Sequence, residues 1–275
     1  MSQDSLTGTT LPLIDLIIVI DNSGSMGNEI LNLQNRLYDD LVGPLLDAGV
    51  AVQVIMVAKF GDLPSESVCI EEPLSSIPTG GCATPPAMPG NTAIFRQYSV
   101  EVGSQNSWCL LQTTFDATLP DEFGLAPTGW QDWLQPDSYR VILMVSDDGV
   151  NCSPYNDLNT VAGGATAAAA IDTDLLALSP SDFGSAGKRN YIVHSLVGLE
   201  DNMPGTAPWP PTDPVISTIC FSAVDPGTGH QSMSTLTGGL RFPLCRTNDY
   251  SVFFRMIVES IYPLAALFRD RFEFE

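Results

Sequence analysis

The chain has 275 residues, of which 44% are hydrophobic, so it can bury a substantial core as one large domain or two small ones, and we favour one. Acidic residues outnumber basic residues 32 to 11, which gives a formal net charge of -21. The electric field of so negative a protein repels nucleic acids and anionic membrane surfaces. No run of about 18 or more apolar residues is present, so no membrane span is predicted.

Apolar segments of two kinds alternate along the chain. Residues 13–20 form a nearly continuous apolar run, typical of a strand buried on both faces. Apolar residues from Ile30 to Leu45 recur at steps of three and four, which predicts an amphipathic helix. Further strands are predicted at residues 51–60, 95–102, 141–145, 191–197 and 239–242. Further helices are predicted at residues 108–115, 161–178, 231–236 and 250–261, and a short Trp-bearing helix is predicted within residues 125–135. This alternation predicts an α/β fold, with a doubly wound, mostly parallel central sheet and helices on both faces.

Two segments interrupt or end this pattern. Residues 61–91 are rich in Pro, Gly and Ser, and their apolar residues show neither the spacing of a helix nor that of a strand. They are therefore predicted to form a long loop. Cys69 and Cys82 would close a short ring within that loop and order it. Residues 268–275 alternate between apolar and charged side chains, which predicts an amphipathic strand. It is either an ordinary terminal strand or frayed tail, or a strand that adds to the sheet edge of a neighbouring subunit.

The cysteines indicate the compartment. Their number, six, is even, and none has the C-x-x-C spacing, while only His194 and His230 could serve as histidine ligands of zinc. Disulfides in an oxidising compartment are favoured over six reduced cytosolic thiols. Residues 1–10 are polar and lack the features of a signal peptide. We therefore expect a mature exported chain, secreted or at the cell surface, whose targeting segment has been removed or omitted.

A D-x-S-x-S pattern at residues 21–25 begins directly after the first buried strand. The spacing alone is common, but here it falls in the crevice where open α/β sheets bind ligands. Ser23 and Ser25 can converge with the Asp21 carboxylate, and the strand at 141–145 delivers Asp148 to the same edge. These oxygen ligands suit a hard octahedral cation such as Mg²⁺ or Mn²⁺, whereas Ca²⁺ usually takes more carboxylates. Alternatively, Asp21 and Ser23 cap the helix that starts near Gly27.

The stretch DNSGSMG at residues 21–27, followed at long distance by VILMVSDDG at residues 141–149, resembles the metal-ion-dependent adhesion site of von Willebrand factor type A (vWA) domains. It also resembles the secreted bacterial members of that family. The resemblance covers about residues 13–261. It implies a single vWA domain at 11–263, with a disulfide-stapled insertion at about 61–92, a second insertion at about 201–229, and a strand or tail at 264–275.

The resemblance also implies a ligand set. Ser23 and Ser25 would bind the ion directly, while Asp21 and Asp148 would act largely through water. The ion would be Mg²⁺, with Mn²⁺ or Ca²⁺ as alternatives. With few direct negative ligands it would keep a positive charge, so an acidic residue of a protein partner could complete its shell. Adhesion or binding is therefore the expected function.

The sequence departs from the family in two places. Members usually add a Thr from the loop after the third strand, but here residues 103–107 read GSQNS. We assign that role to Ser107, just before the predicted helix at 108–115, with Ser104 and Thr113 as alternatives. Asp147 stands where many members have a Thr, which implies a more acidic site that binds its ion more tightly.

The same layout suggests the remaining cysteine pairs. Cys109 begins the helix next to Ser107, and Cys152 lies four residues after Asp148, so this pair could bridge two loops of the metal edge. Cys220 with Cys245 is then left. This order is one hypothesis among the connectivities that six cysteines allow.

Catalysis is not expected. Nucleophilic hydrolysis needs a base beside an activated Ser or Cys, and His194 and His230 are poor candidates because they lie in an apolar strand and a turn. The sequence contains no G-x-S-x-G, P-loop or G-x-G-x-x-G motif. Ser23 replaces the second carboxylate that phosphoryl transfer through an Asp nucleophile would use. The competing hypothesis is a structural subunit of a surface assembly or filament, self-associating through the strand at 268–275.

Overall fold

A six-stranded sheet lies at the centre of the computed structural model, which describes residues 12–61 and 66–272. In chain order the strands are β1 (Leu13–Ile20), β2 (Ala51–Val57), β3 (Phe95–Tyr98), β4 (Tyr139–Ser146), β5 (Asn151–Cys152), β6 (Tyr155–Asn156), β7 (Gly184–Ser185), β8 (Lys188–Arg189), β9 (Tyr191–Val197) and β10 (Arg241–Pro243). The helices are α1 (Gly27–Arg36), α2 (Gly43–Asp47), α3 (Ser107–Phe115), α4 (Val161–Leu178), α5 (Pro180–Phe183), α6 (Thr228–Thr237) and α7 (Tyr250–Phe272). A π-helix, Leu37–Val42, joins α1 to α2.

The strand order in the central sheet is β3-β2-β1-β4-β9-β10, and all neighbouring strands are parallel. The predicted doubly wound α/β fold is thereby confirmed. The chain moves outward from β1 in one direction and from β4 in the other, so a crevice forms between the carboxyl ends of these two strands. The register pairs Ile20 with Val145, which brings Asp21 and Ser146 side by side at that crevice.

Alternate residues of β1 feed two separate cores, one on each face of the sheet. Leu16 and Ile18 pack with apolar residues of α1, α2 and α7, whereas Ile17 and Val19 pack with those of α3, α4 and α6. Every residue of β1 after Leu13 is buried. The period of two along the strand thus places helices on both faces.

Three disulfides join Cys69 to Cys82, Cys109 to Cys152 and Cys220 to Cys245. All three predicted pairs are confirmed. The first lies within the long loop, the second joins α3 to the β5–β6 hairpin, and the third ties the segment after β9 to the segment after β10. Three disulfides are typical of an oxidising, extracellular environment.

Several predicted elements are shorter in the structure. Strand β3 ends at Tyr98 rather than at residue 102, because the amide of Ser99 donates to the Asp121 carboxylate (2.7 Å) instead of a neighbouring strand. Strand β2 ends at Val57, and the amide of Lys59 donates to the side-chain oxygen of Asn22 (2.8 Å). The short Trp-bearing helix predicted within 125–135 is present as a 3₁₀ helix, Trp130–Trp133. The two-residue hairpin strands β5–β6 and β7–β8 were not predicted.

The carboxyl-terminal segment is helical. Helix α7 continues to Phe272, so the strand prediction for 268–275 is wrong for residues 268–272, while residues 273–275 lie outside the described residues. Local alternation of Phe with charged residues does not exclude a helix, and extending an existing helix requires no new nucleus. A strand that adds to a neighbouring sheet therefore has no support in this segment.

Within the described ranges, one helix is long and apolar enough, by length and composition, to cross a membrane: α4, Val161–Leu178. Core helices of soluble proteins meet the same criterion. One side of α4, including Ala167, Ile171 and Leu175, is buried against the sheet.

Candidate metal centre

Asp21 is held rigidly at the carboxyl end of β1. Its amide donates to the carbonyl of Val145 on β4 (2.9 Å), which continues the parallel ladder past the end of the strand. One carboxylate oxygen accepts the amide of Ser23 (2.8 Å), and the other accepts the hydroxyl of Ser146 (2.8 Å). The carboxylate therefore has a fixed orientation in the crevice between β1 and β4.

Asp147 and Asp148 follow β4 at the same edge. The amide of Asp148 donates to the Ser146 hydroxyl (3.1 Å), the same hydroxyl that donates to Asp21. The carbonyl of Asp147 accepts the amides of Val224 (3.0 Å) and Asp225 (2.9 Å). Both acids are thus fixed by the backbone, and Ser146 links the end of β4 to the end of β1.

The three acids Asp21, Asp147 and Asp148 form one buried cluster, which we call the acidic triad. One carboxylate oxygen from each lies within 4.8 Å of the other two. Burial, with the charges of Asp147 and Asp21, raises the pKa of Asp148 to about 6. Burial also raises the pKa of Asp21 and of Asp147. The triad is therefore a site where negative charge is concentrated and poorly solvated.

The hydroxyls of Ser23 and Ser25, in the D-x-S-x-S stretch, lie beside the acidic triad. The hydroxyl oxygens of Ser23 and Ser25 are 3.1 Å apart. The Ser23 side chain lies close enough to Asp21, and that of Ser25 to Asp147, to lower the pKa of the carboxylate. Gly24 and Ser25 are exposed, so the triad can be reached from solvent on this side. The N-cap of α1 is Met26, without a side-chain capping bond, so the helix-cap interpretation of Asp21 and Ser23 finds no support.

The loop before α3 brings a second serine near the triad. The Ser104 side chain lies close enough to Asp148 to lower the pKa of that carboxylate. Ser107 lies buried in the first turn of α3, on the helix rather than in the loop that reaches the triad. The Thr113 hydroxyl donates to the carbonyl of Cys109 within α3 (2.9 Å). Ser104 is therefore a candidate beside Ser107, and the assignment of Ser107 stays a prediction.

The residues present fit a hard divalent cation. All nearby donors are oxygen atoms, which suits Mg²⁺, Mn²⁺ or Ca²⁺ rather than Zn²⁺. Among the described residues, no Lys, Arg or His forms an ion pair with Asp21, Asp147 or Asp148. Asp147 also has a buried carboxylate oxygen, Oδ1, without a hydrogen-bond partner. A bound cation would compensate both features.

Sequence reasoning left Asp147 and Ser146 out of the ligand set. The signal for Asp147 was present, since two consecutive acids end the VILMV strand, but a sequence does not show which of two neighbouring side chains points into a crevice. Ser146 continues a strand and looks like an ordinary strand residue. Its role appears only when β1 and β4 are placed side by side.

Both histidines are packed away from solvent. The Nδ1 atom of His194 accepts the amide of Leu240 (3.0 Å), and burial lowers its pKa to about 3. The Nδ1 atom of His230 accepts the indole N–H of Trp108 (3.0 Å), and burial lowers its pKa to about 4. Each ring is therefore a neutral acceptor in the core at neutral pH.

Comparison with known proteins gives no family assignment. No protein-family model, curated protein or solved structure matches this chain. Function is therefore inferred from the fold and from the residues at the carboxyl ends of β1 and β4.

Proposed function

We propose that this chain is an exported binding module of the vWA type, which holds one hard divalent cation at the acidic triad and uses it to bind a protein partner. The observation that carries the proposal is the triad itself, three buried carboxylates within 4.8 Å beside the hydroxyls of Ser23 and Ser25. The strand order and the stretches at 21–27 and 141–149 support the vWA assignment. Mg²⁺ is the ion that the resemblance implies.

Binding is favoured over catalysis by the chemistry around the triad. The serine hydroxyls there hydrogen-bond to carboxylates or to each other. A nucleophilic serine needs a neighbouring base, and His194 and His230 hold neutral, buried positions that serve packing. The exposed turn at Gly24 and Ser25 gives a partner access to the ion.

The partner would supply an oxygen to the ion, and we propose an acidic side chain. This requires the bound ion to keep positive charge after its protein ligands are in place. Asp21 and Asp148 acting through water would leave it that charge, while Asp147 reduces it. The alternative, a surface assembly joined through a carboxyl-terminal strand, is not favoured because α7 is helical to Phe272.

Calorimetry with Mg²⁺ on the wild type and on Asp21→Ala tests the metal site. We expect saturable binding of one ion to the wild type and none to Asp21→Ala, because the substitution removes a carboxylate from the triad. Glu259→Ala is the matched control, since this exposed acid lies on α7. Equal binding by the wild type and Asp21→Ala would refute the proposal.

A further inference from the structure

Asp147 differs from the other two acids of the triad in how its carboxylate is satisfied. The residue is only 2% exposed, and its Oδ1 atom is buried without any hydrogen-bond partner among the described residues. The carboxylate nevertheless points into the triad, because one of its oxygens lies within 4.8 Å of oxygens of Asp21 and Asp148. The nearby Ser25 side chain lowers the pKa of this carboxylate only in part against the effect of burial.

The position of Asp147 is fixed by its backbone. Its carbonyl accepts the amides of Val224 and Asp225, and that segment is anchored by the disulfide between Cys220 and Cys245. The Asp225 carboxylate is itself held by the side chain of Asn159 (2.7 Å). Asp147 is therefore held facing two other acids with one oxygen unsatisfied, an arrangement that costs free energy unless a cation is present.

We infer that Asp147 is a third carboxylate ligand of the ion proposed above, and that it makes the site prefer Ca²⁺ to Mg²⁺. The inference rests on the proposed function. One oxygen from each of the three carboxylates, with the hydroxyls of Ser23, Ser25 and Ser104, would fill an octahedral shell and leave no position for water. Mg²⁺ keeps several waters and is usually bound through one or two carboxylates, whereas Ca²⁺ takes six to eight oxygens.

The charge balance points the same way. Three ionised carboxylates and one divalent cation leave the loaded triad with a formal charge of about -1. Ca²⁺ sheds its water more readily than Mg²⁺, so it gains more from an additional direct carboxylate. Asp147 thus sets which ion is held, and its charge weakens the attraction of the loaded site for an acidic side chain of a partner.

Calorimetric titration of the full chain with CaCl₂ and, separately, MgCl₂ tests the inference on the wild type, Asp147→Asn and Asp225→Asn. We expect the wild type to bind Ca²⁺ about tenfold or more tightly than Mg²⁺, and Asp147→Asn to lose about tenfold or more in Ca²⁺ affinity with a smaller loss for Mg²⁺. Asp225→Asn is the charge control, since Asp225 acts on the triad through space. Asp225→Asn should lower the affinity for both ions by the same factor, and by less than Asp147→Asn lowers the affinity for Ca²⁺.

Two results would overturn the inference. In the first, Asp147→Asn binds Ca²⁺ as tightly as the wild type does. In the second, Asp147→Asn loses the same factor in affinity for both ions, and that factor equals the loss in Asp225→Asn. If Asp21→Ala abolishes binding while Asp147→Asn leaves it unchanged, the inference fails and the proposed metal site stands. If Asp21→Ala binds ions like the wild type, both fail. Thermal unfolding without metal checks folding, because Asp147→Asn removes a repelling charge and should be at least as stable as the wild type.

Discussion

The two ends of the central sheet both bury carboxylates, but they satisfy them differently. At the amino end of the sheet, Asp15 is fully buried and accepts the backbone and side-chain amides of Gln135 (3.0 and 3.1 Å) and the hydroxyl of Ser138. The guanidinium of Arg140 lies 4.0 Å away and also pairs with Asp182 (2.6 Å). At the carboxyl end, the acidic triad has hydroxyls and amides but, within the described ranges, no cationic side chain paired with it.

This difference distinguishes a buried carboxylate that has a structural role from buried carboxylates that are arranged to bind a ligand. At Asp15 the fold itself supplies hydrogen-bond donors and a nearby cation, which offset part of the rise in pKa that burial causes. Three carboxylates that face one another without an internal cation lack that compensation, which a cation from solution would supply. The amino end should therefore be insensitive to added metal, whereas the carboxyl end should depend on it.

The largest expected effect is at the amino end. Asp15→Ala removes the acceptor of the Gln135 amides and the Ser138 hydroxyl, and each buried donor left without a partner costs about 1–3 kcal/mol, so unfolding free energy should fall by about 3 kcal/mol. Urea unfolding should show this loss equally with EDTA and with Ca²⁺. Glu259→Ala, an exposed acid, is the control and should unfold like the wild type. A loss that appears only with metal would contradict the distinction between the two ends.

The second largest expected effect is on the stability that metal binding adds at the carboxyl end of the sheet. Unlike the effect of Asp15→Ala, it should depend on added metal. A ligand at 100 times its dissociation constant stabilises the folded state by about 2.7 kcal/mol. The wild type should gain this amount from added Ca²⁺, and Asp148→Asn should gain much less. In EDTA, Asp148→Asn should be at least as stable as the wild type, because burial and two neighbouring acids already disfavour its charge. Full Ca²⁺ stabilisation of the variant would show that Asp148 does not contribute to binding.

The sequence was sufficient to predict the parts of the molecule that depend on buried strands. Continuous apolar runs at 13–20 and 141–145 predicted parallel strands, and parallel strands place Asp21 and Asp148 at one edge. The cysteine pairs followed from that layout, since Cys109 and Cys152 belong to loops at the same edge.

The remainder depends on geometry that residue types do not determine. Ser104 and Ser107 are the same residue type in one loop, and only the backbone path decides which reaches Asp148. Alternation at 268–275 predicted a strand, but continuation of α7 overrides a local period of two. The unsatisfied oxygen of Asp147 likewise appears only when the hydrogen-bond partners around it are known.

A third way to bury an ionisable group is to keep it neutral, and His194 on β9 shows it. Burial lowers its pKa to about 3, whereas a histidine in the unfolded chain titrates near its ordinary value of 6.5. As pH falls below 6.5, the imidazole of His194 becomes protonated in the unfolded chain but stays neutral in the folded chain. The stability that His194 contributes is therefore fully present above 6.5 and is lost toward pH 3, by about 1.4 kcal/mol per unit.

Urea unfolding in EDTA at about pH 7.5, 5.5 and 4.5 should separate this effect from that of the triad, because metal-free wild type and His194→Asn carry the same acids. The wild type should lose stability more steeply than His194→Asn as pH falls. His230 remains in both proteins, so its own lowered pKa cancels in the difference. Parallel losses in the two proteins would mean that His194 is not the group being protonated. His230, which both proteins keep and whose pKa burial also lowers, would then account for the acid sensitivity.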